Sequence, residues 1–195
     1  VFHMSNQLKQ IPIGIDDFKK IVERNTYFID KTMNIKNIIK NASEVILFTR
    51  PRRFGKTLNF SMLKYFFEIP ECRKMANNDK DYKYLFKGFN IYKEKKIVKE
   101  HMGKYPVIDI SFKKVKANNW EKAEYYFKEV IANLYKKHRY LLNEDIMLDF
   151  EQEQFKKIMN KQAKIYEYTS AIADLSKYLE KKYKEYNKKV IVLID

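Results

Sequence analysis

The residues most able to do chemistry in this sequence are Gly55-Lys56-Thr57, which stand between two apolar stretches. Residues 45–48 form a short apolar run that predicts a β-strand, and the apolar spacing over 57–67 predicts an amphipathic helix. A strand, a basic loop ending in Gly-Lys-Thr and a helix make up the second half of the phosphate-binding pattern G-x-x-x-x-G-K-[ST]. The first glycine of that pattern belongs at position 50, where the chain has Arg50.

A loop of this kind would bind the phosphates of a nucleotide. Backbone N–H groups and the helix N-terminus surround the phosphate oxygens, and the lysine, here Lys56, reaches the β- and γ-phosphates. The hydroxyl of Thr57 would bind Mg²⁺. The residues that we predict to contact the nucleotide are Arg50, Arg52, Arg53, Phe54, Gly55, Lys56, Thr57 and Leu58.

The arginines of the loop support this interpretation. The chain has a net charge of +15 and only six arginines, three of which are Arg50, Arg52 and Arg53. Arginine forms bidentate hydrogen bonds with phosphate that lysine cannot form. These arginines could contact a γ-phosphate or a nucleic-acid backbone. The lysine excess is weaker as a signal, because an A/T-rich genome produces the same bias without a selected partner.

A P-loop site also needs an acidic residue to hold its Mg²⁺. Residues 190–194 predict a fully apolar strand, which ends in Asp195. We predict that Thr57 and Asp195 are the metal ligands. The simpler interpretation of Asp195 is a carboxylate at the end of a strand, as is common in α/β proteins.

The remaining pattern predicts an α/β fold. Besides the helix at 57–67, apolar periodicity predicts helices at 17–24 (with Asp16 as N-cap), 32–40 (with Thr32 as N-cap), 120–142, 147–159 and 170–187, and strands at 45–48, 106–112 and 190–194. Residues 71–84 read as irregular, and 92–103 as a lysine-rich helix or loop. Strands separated by helices predict a three-layer fold with parallel pairing. We expect 1–44 to be a helical lead-in packed on a core formed by 45–195.

Other candidates have simpler interpretations. Asp30-Lys31-Thr32 could frame the nucleotide and Tyr27 could stack on its base, but a strand end and a helix cap explain the first group as well. His138 stands among basic residues and reads as a surface residue of a helix. One cysteine, Cys72, fits a reducing cytosol, and no apolar run is long enough to span a bilayer. We therefore expect a cytoplasmic protein that does not enter a membrane.

Several motifs resemble one bacterial family from residue 11 onward. They are Ile13-Gly14-Ile15 with Asp17-Phe18-Lys19, Tyr27-Phe28-Ile29-Asp30-Lys31-Thr32, Arg50-Pro51-Arg52-Arg53-Phe54-Gly55-Lys56-Thr57, Leu85-Phe86 with Gly88, Pro106-Val107-Ile108 and Leu193-Ile194-Asp195. The chain resembles the AAA-ATPase-like proteins that often carry a C-terminal nuclease domain of the PD-(D/E)xK type. In that family arginine is typical where the first glycine of the loop would stand. The resemblance implies an ATP-binding P-loop core of the additional-strand type, with ATP and Mg²⁺ as ligands.

The same resemblance predicts what this sequence lacks. In such proteins an acidic residue directly follows the Walker B aspartate and activates the attacking water, whereas this sequence stops at Asp195. We therefore expect a fragment with an incomplete sheet that binds ATP weakly if at all and does not hydrolyse it, taken from a protein that is an ATP hydrolase. Unpaired strand edges would favour self-association. The alternative is a basic nucleic-acid-binding module with a structural P-loop, part of a nuclease-linked protein.

Overall fold

A computed structural model describes residues 9–49, 51, 53–74 and 82–195 of the chain. The helices in this part are α1 (Phe18–Glu23), α2 (Met33–Lys40), α3 (Lys56–Phe67), α4 (Pro70–Lys74), α5 (Asn90–Lys93), α6 (Lys95–His101), α7 (Trp120–Lys137), α8 (Asp149–Met159) and α9 (Ala171–Lys182). Short 3-10 helices cover Tyr82–Phe86, Arg139–Asn143, Ile165–Tyr168 and Lys184–Tyr186. The strands are β1 (Val107–Ile110) and β2 (Ile191–Ile194). None of the described helices is long and apolar enough to cross a membrane.

The chain divides into two compact units. The first holds the described residues of 9–66 and 82–102, and the second holds those of 67–74 and 103–195. The sequence predicts a boundary between residues 44 and 45, which would separate a helical lead-in from the core. The division into compact units does not test that boundary, which stays a prediction.

An aromatic cluster forms the core of the first unit. Phe18 of α1 lies 5.5 Å from Phe28, 5.2 Å from Phe86 and 5.7 Å from Phe89, measured between ring centroids. The backbone N–H of Phe18 donates to the hydroxyl oxygen of Ser61, in α3, at 2.8 Å. This hydrogen bond joins α1 to α3, the helix that begins within the Gly-Lys-Thr motif.

A parallel strand pair lies in the second unit. β1 and β2 pair in parallel, with Val107 opposite Ile191 and Ile110 opposite Ile194. Parallel strands need a long crossover, and α7, α8 and α9 lie between them in sequence. The predicted parallel α/β pairing is confirmed for these two strands, and the described chain is otherwise rich in helix.

The core of the second unit lies among these helices. The helices α7, α8 and α9 and the strand β1 contribute many of its buried side chains, among them Ile108, Ile131, Tyr135, Phe155, Leu175 and Leu179. β2, which the sequence predicts as fully apolar, alternates between half-buried and exposed residues. On the described chain β2 has a paired strand on one side only, which leaves part of it open to solvent.

Several local predictions need correction. The N-cap of α1 is Asp17 and not Asp16, since the Asp17 carboxylate accepts from the N–H of Lys20 at 2.9 Å. Residues 71–74 are helical because Pro70 occupies the first position of α4, where a missing N–H costs nothing. The lysine-rich stretch over 92–103 is mostly helical, in α5 and α6.

His138 is buried, with only 2% of its surface exposed, so its assignment to the surface is wrong. α7 ends at Lys137, and the chain then turns into the 3-10 helix Arg139–Asn143. The N–H of His138 donates to the Leu134 carbonyl, and its Nδ1 lies 3.4 Å from the Tyr140 hydroxyl oxygen. The turn at the helix end, which local composition does not reveal, places the imidazole inside.

Candidate functional site

The Gly-Lys-Thr loop leads directly into α3. Arg53 and Gly55 both have left-handed backbone conformations, with φ of 67° and 75°. Such a conformation costs a non-glycine residue about 1–2 kcal/mol, so Arg53 holds a strained backbone in this loop. The carbonyl of Gly55 accepts two hydrogen bonds from Asn59, from its backbone N–H and its Nδ2, each at 2.9 Å. These bonds fix the loop to the first turn of the helix.

The predicted site residues of the loop lie at the start of a 12-residue helix. Lys56 and Thr57 are its first two residues and are half-buried, and Leu58 follows them. The positive end of the helix dipole at a helix N-terminus favours an anionic ligand. Phe54 stands in the loop with 60% of its side chain exposed. Arg50 and Arg52 lie outside the described residues.

An open cavity of about 550 Å³ adjoins this loop. Phe54 and Lys56 form one side of it, α2 forms another, and Ile46 and Phe48 contribute apolar surface. The volume lies in the range of small-molecule sites, which is about 300–1,000 Å³. The described lining includes two lysines, Lys31 and Lys56, and no carboxylate. A pocket of this size and charge suits an organic anion.

The predicted strand at 45–48 is not a strand in the described structure, although two of its residues line the cavity. Val45 and Leu47 are 85% and 83% exposed, while Ile46 and Phe48 face the cavity. The Phe48 ring meets the Phe60 ring edge-on, with centroids 6.0 Å apart. Alternating exposure of this kind is typical of a β-strand, but no described strand pairs with residues 45–48.

Asp30 and Thr32 act as structural caps. The Asp30 carboxylate accepts from the Thr32 N–H at 2.9 Å, the Thr32 hydroxyl at 2.6 Å and the Asn90 N–H at 2.9 Å. The Thr32 hydroxyl oxygen in turn accepts from the N–H of Ile91 at 3.2 Å. Thr32 therefore occupies the N-cap position of α2 without capping that helix by its side chain, and both residues instead bind the start of α5.

The charge on Asp30 is stabilised by these bonds. Burial raises the pKa of its carboxyl, but the hydrogen bonds from Thr32 and Asn90, with the nearby Lys93, outweigh it and lower the pKa below its ordinary value. Of the candidate group Asp30-Lys31-Thr32, Lys31 lines the cavity. Tyr27 is 57% exposed and is not part of the cavity lining.

The second predicted metal ligand, Asp195, lies in the second unit. Its N–H donates to the Ile110 carbonyl and its carbonyl accepts from the Phe112 N–H, each at 2.9 Å, so it continues the parallel pairing of β2. The Asp195 carboxylate forms an ion pair with Lys113 at 2.6 Å. A cationic group thus already faces this carboxylate within its own unit.

The described residues contain no cluster of three or more His, Cys, Asp and Glu side chains that could hold a metal ion. A magnesium ion bound with a nucleotide does not need one, because phosphate oxygens and water supply most of its ligands. The hydroxyl of Thr57, at the start of α3, is the group of the first unit that fits this role.

Sequence analysis did not single out the wall formed by α2. Asn34, Asn37 and Asn41 all line the cavity, and their spacing of three and then four residues places them on one face of the helix and its end. That spacing is visible in the sequence as a polar stripe beside the apolar one. Only the structure shows that this polar stripe and the loop line the same cavity.

Comparison with known proteins agrees with these features. The family model described as "Predicted AAA-ATPase" matches residues 12–195. An uncharacterized protein in the vnfD 5' region of Azotobacter chroococcum mcd 1 is 34% identical over 105 residues, which is 53% of this chain and 17% of that protein. The matched part is therefore less than a fifth of that relative's length, and no solved structure matches the chain. Because the family model covers almost the whole chain, the chain belongs to the AAA-ATPase-like family.

Proposed function

We propose that this chain binds ATP, with the triphosphate at the start of α3. The observation that carries the proposal is the loop at 53–55, whose left-handed residues lead directly into the helix beginning at Lys56. This arrangement offers backbone N–H groups, the positive end of a helix and a lysine to the same anion. The adjoining cavity, with two lysines and no carboxylate in its described lining, favours a ligand of negative charge.

In this proposal Lys56 contacts the terminal phosphates, and Thr57 contributes its hydroxyl to a magnesium ion. Arg53 adds positive charge, and Arg50 and Arg52 take the same role by their place in the sequence. The ion, when bound, would neutralise phosphate charge. Asp195 remains our second proposed ligand of this ion on the strength of the family pattern, and it would have to exchange its ion pair with Lys113 for that role.

The test is binding of MgATP by the chain and by Lys56→Ala, with Lys40→Ala as the matched control. Lys40 is an exposed lysine of α2 that does not line the cavity. At a ligand concentration one hundred times Kd, binding stabilises the folded state by about 2.7 kcal/mol, which a thermal shift detects. We expect the shift in the wild type and in Lys40→Ala and its loss in Lys56→Ala. Equal shifts in all three proteins, or none in the wild type, would refute the proposal.

The activity of the whole protein is a wider proposal. We propose an ATP hydrolase with a three-layer P-loop core of the additional-strand type in the cytoplasm, linked to a nuclease as the family resemblance implies. The parallel pairing of β1 with β2 and the helices between them support the fold. That the present chain does not hydrolyse ATP stays a prediction, which phosphate release would check.

Self-association through the segment 45–48 is also a proposal. Val45 and Leu47 present apolar side chains to solvent in a segment that has no described strand beside it. Such a segment is a template for pairing with a second copy. Light scattering during size-exclusion chromatography should then show a mass that rises with concentration, and a constant monomer mass would contradict it.

A nucleic-acid-binding role is the second candidate function. On the second unit the side chains of Trp120, Tyr125 and Tyr166 are exposed, and the Lys161 ammonium lies 5.2 Å from the centre of the Tyr125 ring. Stacking aromatics with basic groups suit single-stranded nucleic acid. Lys161 also pairs with Glu129 at 2.5 Å, which reduces the charge available and ranks this candidate second. Affinity for DNA that falls with salt and survives Lys56→Ala would favour it.

A further inference from the structure

Asn59 donates two hydrogen bonds to one atom of the Gly-Lys-Thr loop. Its backbone N–H and its side-chain Nδ2 each donate to the Gly55 carbonyl oxygen at 2.9 Å. The backbone bond is the ordinary one at the start of a helix, where the carbonyl of the preceding residue accepts from the N–H four residues on. That bond already satisfies the carbonyl. The side-chain bond therefore does not supply a missing partner, but restrains the direction in which the carbonyl points.

Asparagine has a local cost at this position. Asn59 is the fourth residue of α3, and asparagine is a weaker helix former than alanine because its side chain competes for backbone hydrogen bonds. Here that side-chain bond is formed, to the carbonyl four residues earlier. Asn59 is half-buried and lines the same cavity as Lys56, so the bond lies at the proposed site and not on a remote face of the helix.

The direction of the Gly55 carbonyl sets the direction of the next N–H. In a planar trans peptide, the C=O and the N–H point in opposite directions, and the peptides of the described chain are trans. The Gly55 oxygen points along α3 toward Asn59. The N–H of Lys56 therefore points out of the N-terminal end of the helix, where the proposed function places the phosphates.

The conformational freedom of Gly55 makes such a restraint useful. Its φ is 75°, and glycine populates this region and several others at little cost. Rotation about the bonds on either side of the Gly55–Lys56 peptide would turn the N–H of Lys56 away from an anion. The Asn59 side chain opposes that rotation, because it holds the oxygen of the same peptide.

We propose that Asn59 is a positioning residue for the triphosphate, whose Nδ2 holds the Gly55–Lys56 peptide with its N–H toward the phosphates. The inference rests on the proposed function, since it assumes a triphosphate at the start of α3. A donor that is already oriented binds an anion more tightly, because less ordering of the loop remains to be done on binding. In this role Asn59 acts through the backbone and does not contact the ligand.

The test measures the affinity for MgATP and for magnesium tripolyphosphate by titration calorimetry. Asn59→Ala removes the side-chain donor, and Asn59→Ser restores one, because a serine hydroxyl in a helix can donate to the carbonyl four residues earlier. The matched control is Asn133→Ala, at an exposed asparagine of α7 whose Nδ2 also donates to a residue four positions earlier, Glu129. Thermal unfolding in the absence of ligand shows whether each variant keeps its fold.

We expect Asn59→Ala to bind both ligands about fivefold more weakly than the wild type, which is the effect of one hydrogen bond. Asn59→Ser should recover most of the affinity, and Asn133→Ala should match the wild type. The two Asn59 variants should unfold at similar temperatures without ligand, since the higher helix propensity of alanine offsets its lost hydrogen bond. A purely structural role for Asn59 would not separate the two variants in affinity while leaving them equal in stability.

The failures of the two proposals differ. Unchanged affinity for both ligands in Asn59→Ala would overturn this inference and leave phosphate binding intact. A loss for MgATP alone would show that Asn59 contacts the nucleoside directly, which also overturns it. Failure of Asn59→Ser to recover affinity would show that the donor to the Gly55 carbonyl is not the cause. If the wild type binds neither ligand, the proposed function falls, and this inference falls with it.

Discussion

Replacing Asp30 with alanine should loosen the contact between α2 and α5. The carboxylate accepts three hydrogen bonds, two from Thr32 and one from the N–H of Asn90, at 2.6–2.9 Å. Each is worth about 1 kcal/mol net, so the loss of all three should lower the free energy of unfolding by about 2–3 kcal/mol. Asp30→Asn keeps one acceptor oxygen, which can serve the two donors of Thr32 or the N–H of Asn90 but not both sides at once. This substitution should therefore cost about half as much.

The pH dependence of this effect follows from the lowered pKa of Asp30. A carboxyl whose pKa is lower in the folded than in the unfolded state stabilises the fold fully above the unfolded value. That contribution is lost as the pH falls below about 4 and through the folded pKa. The difference between wild type and Asp30→Asn should therefore be constant near neutral pH and shrink in acid.

Urea denaturation at a series of pH values measures both effects. Asp16→Asn is the control, because Asp16 is an exposed aspartate of the first unit whose side chain forms no hydrogen bond within the described residues. The midpoint should fall in the Asp30 variants with little change in the slope m. The reasoning is wrong if Asp30→Asn is no less stable than Asp16→Asn at neutral pH, or if its deficit is undiminished in acid.

Two further substitutions test the loop and the second core. Gly55→Ala meets little steric conflict, since the added Cβ would lie 3.9 Å from Asn59 Nδ2. The φ of +75° at this position should nevertheless cost alanine about 1 kcal/mol of stability. The substitution should also weaken MgATP binding in the thermal-shift assay. Unchanged stability and binding would show that the left-handed turn is not needed. Tyr135→Phe removes the hydrogen bond that its buried hydroxyl donates to the Ala171 carbonyl at 2.8 Å, and should cost about 1–2 kcal/mol in urea denaturation. The exposed Tyr125→Phe is its control, and equal stability of the two variants would contradict the assignment.

Much of the candidate site could be predicted from sequence because its pattern is local. Gly55-Lys56-Thr57 mark the junction of a loop with a helix, and each residue type has a defined role there. The asparagines of α2 could not be assigned in this way. Their role depends on α2 lying beside the loop, which the sequence does not specify. Asp30 had two interpretations, and the choice needed the position of Asn90, 60 residues away.

The sequence by itself determined the longer helices, the apolar strands that it predicts at 106–112 and 190–194, and the phosphate-loop motif, but it missed α4 and predicted a strand at 45–48 that the described structure does not contain. Hydrophobic periodicity and turn-forming residues are properties of neighbouring positions, and they can therefore be recognised from the sequence without a structure. Only the tertiary structure decided the register in which β1 and β2 pair in parallel, with Val107 opposite Ile191, that His138 is buried and that Lys56 borders a cavity lined on another side by α2. Each of these depends on residues far apart in the chain, and packing brings them together in ways that local propensity does not specify.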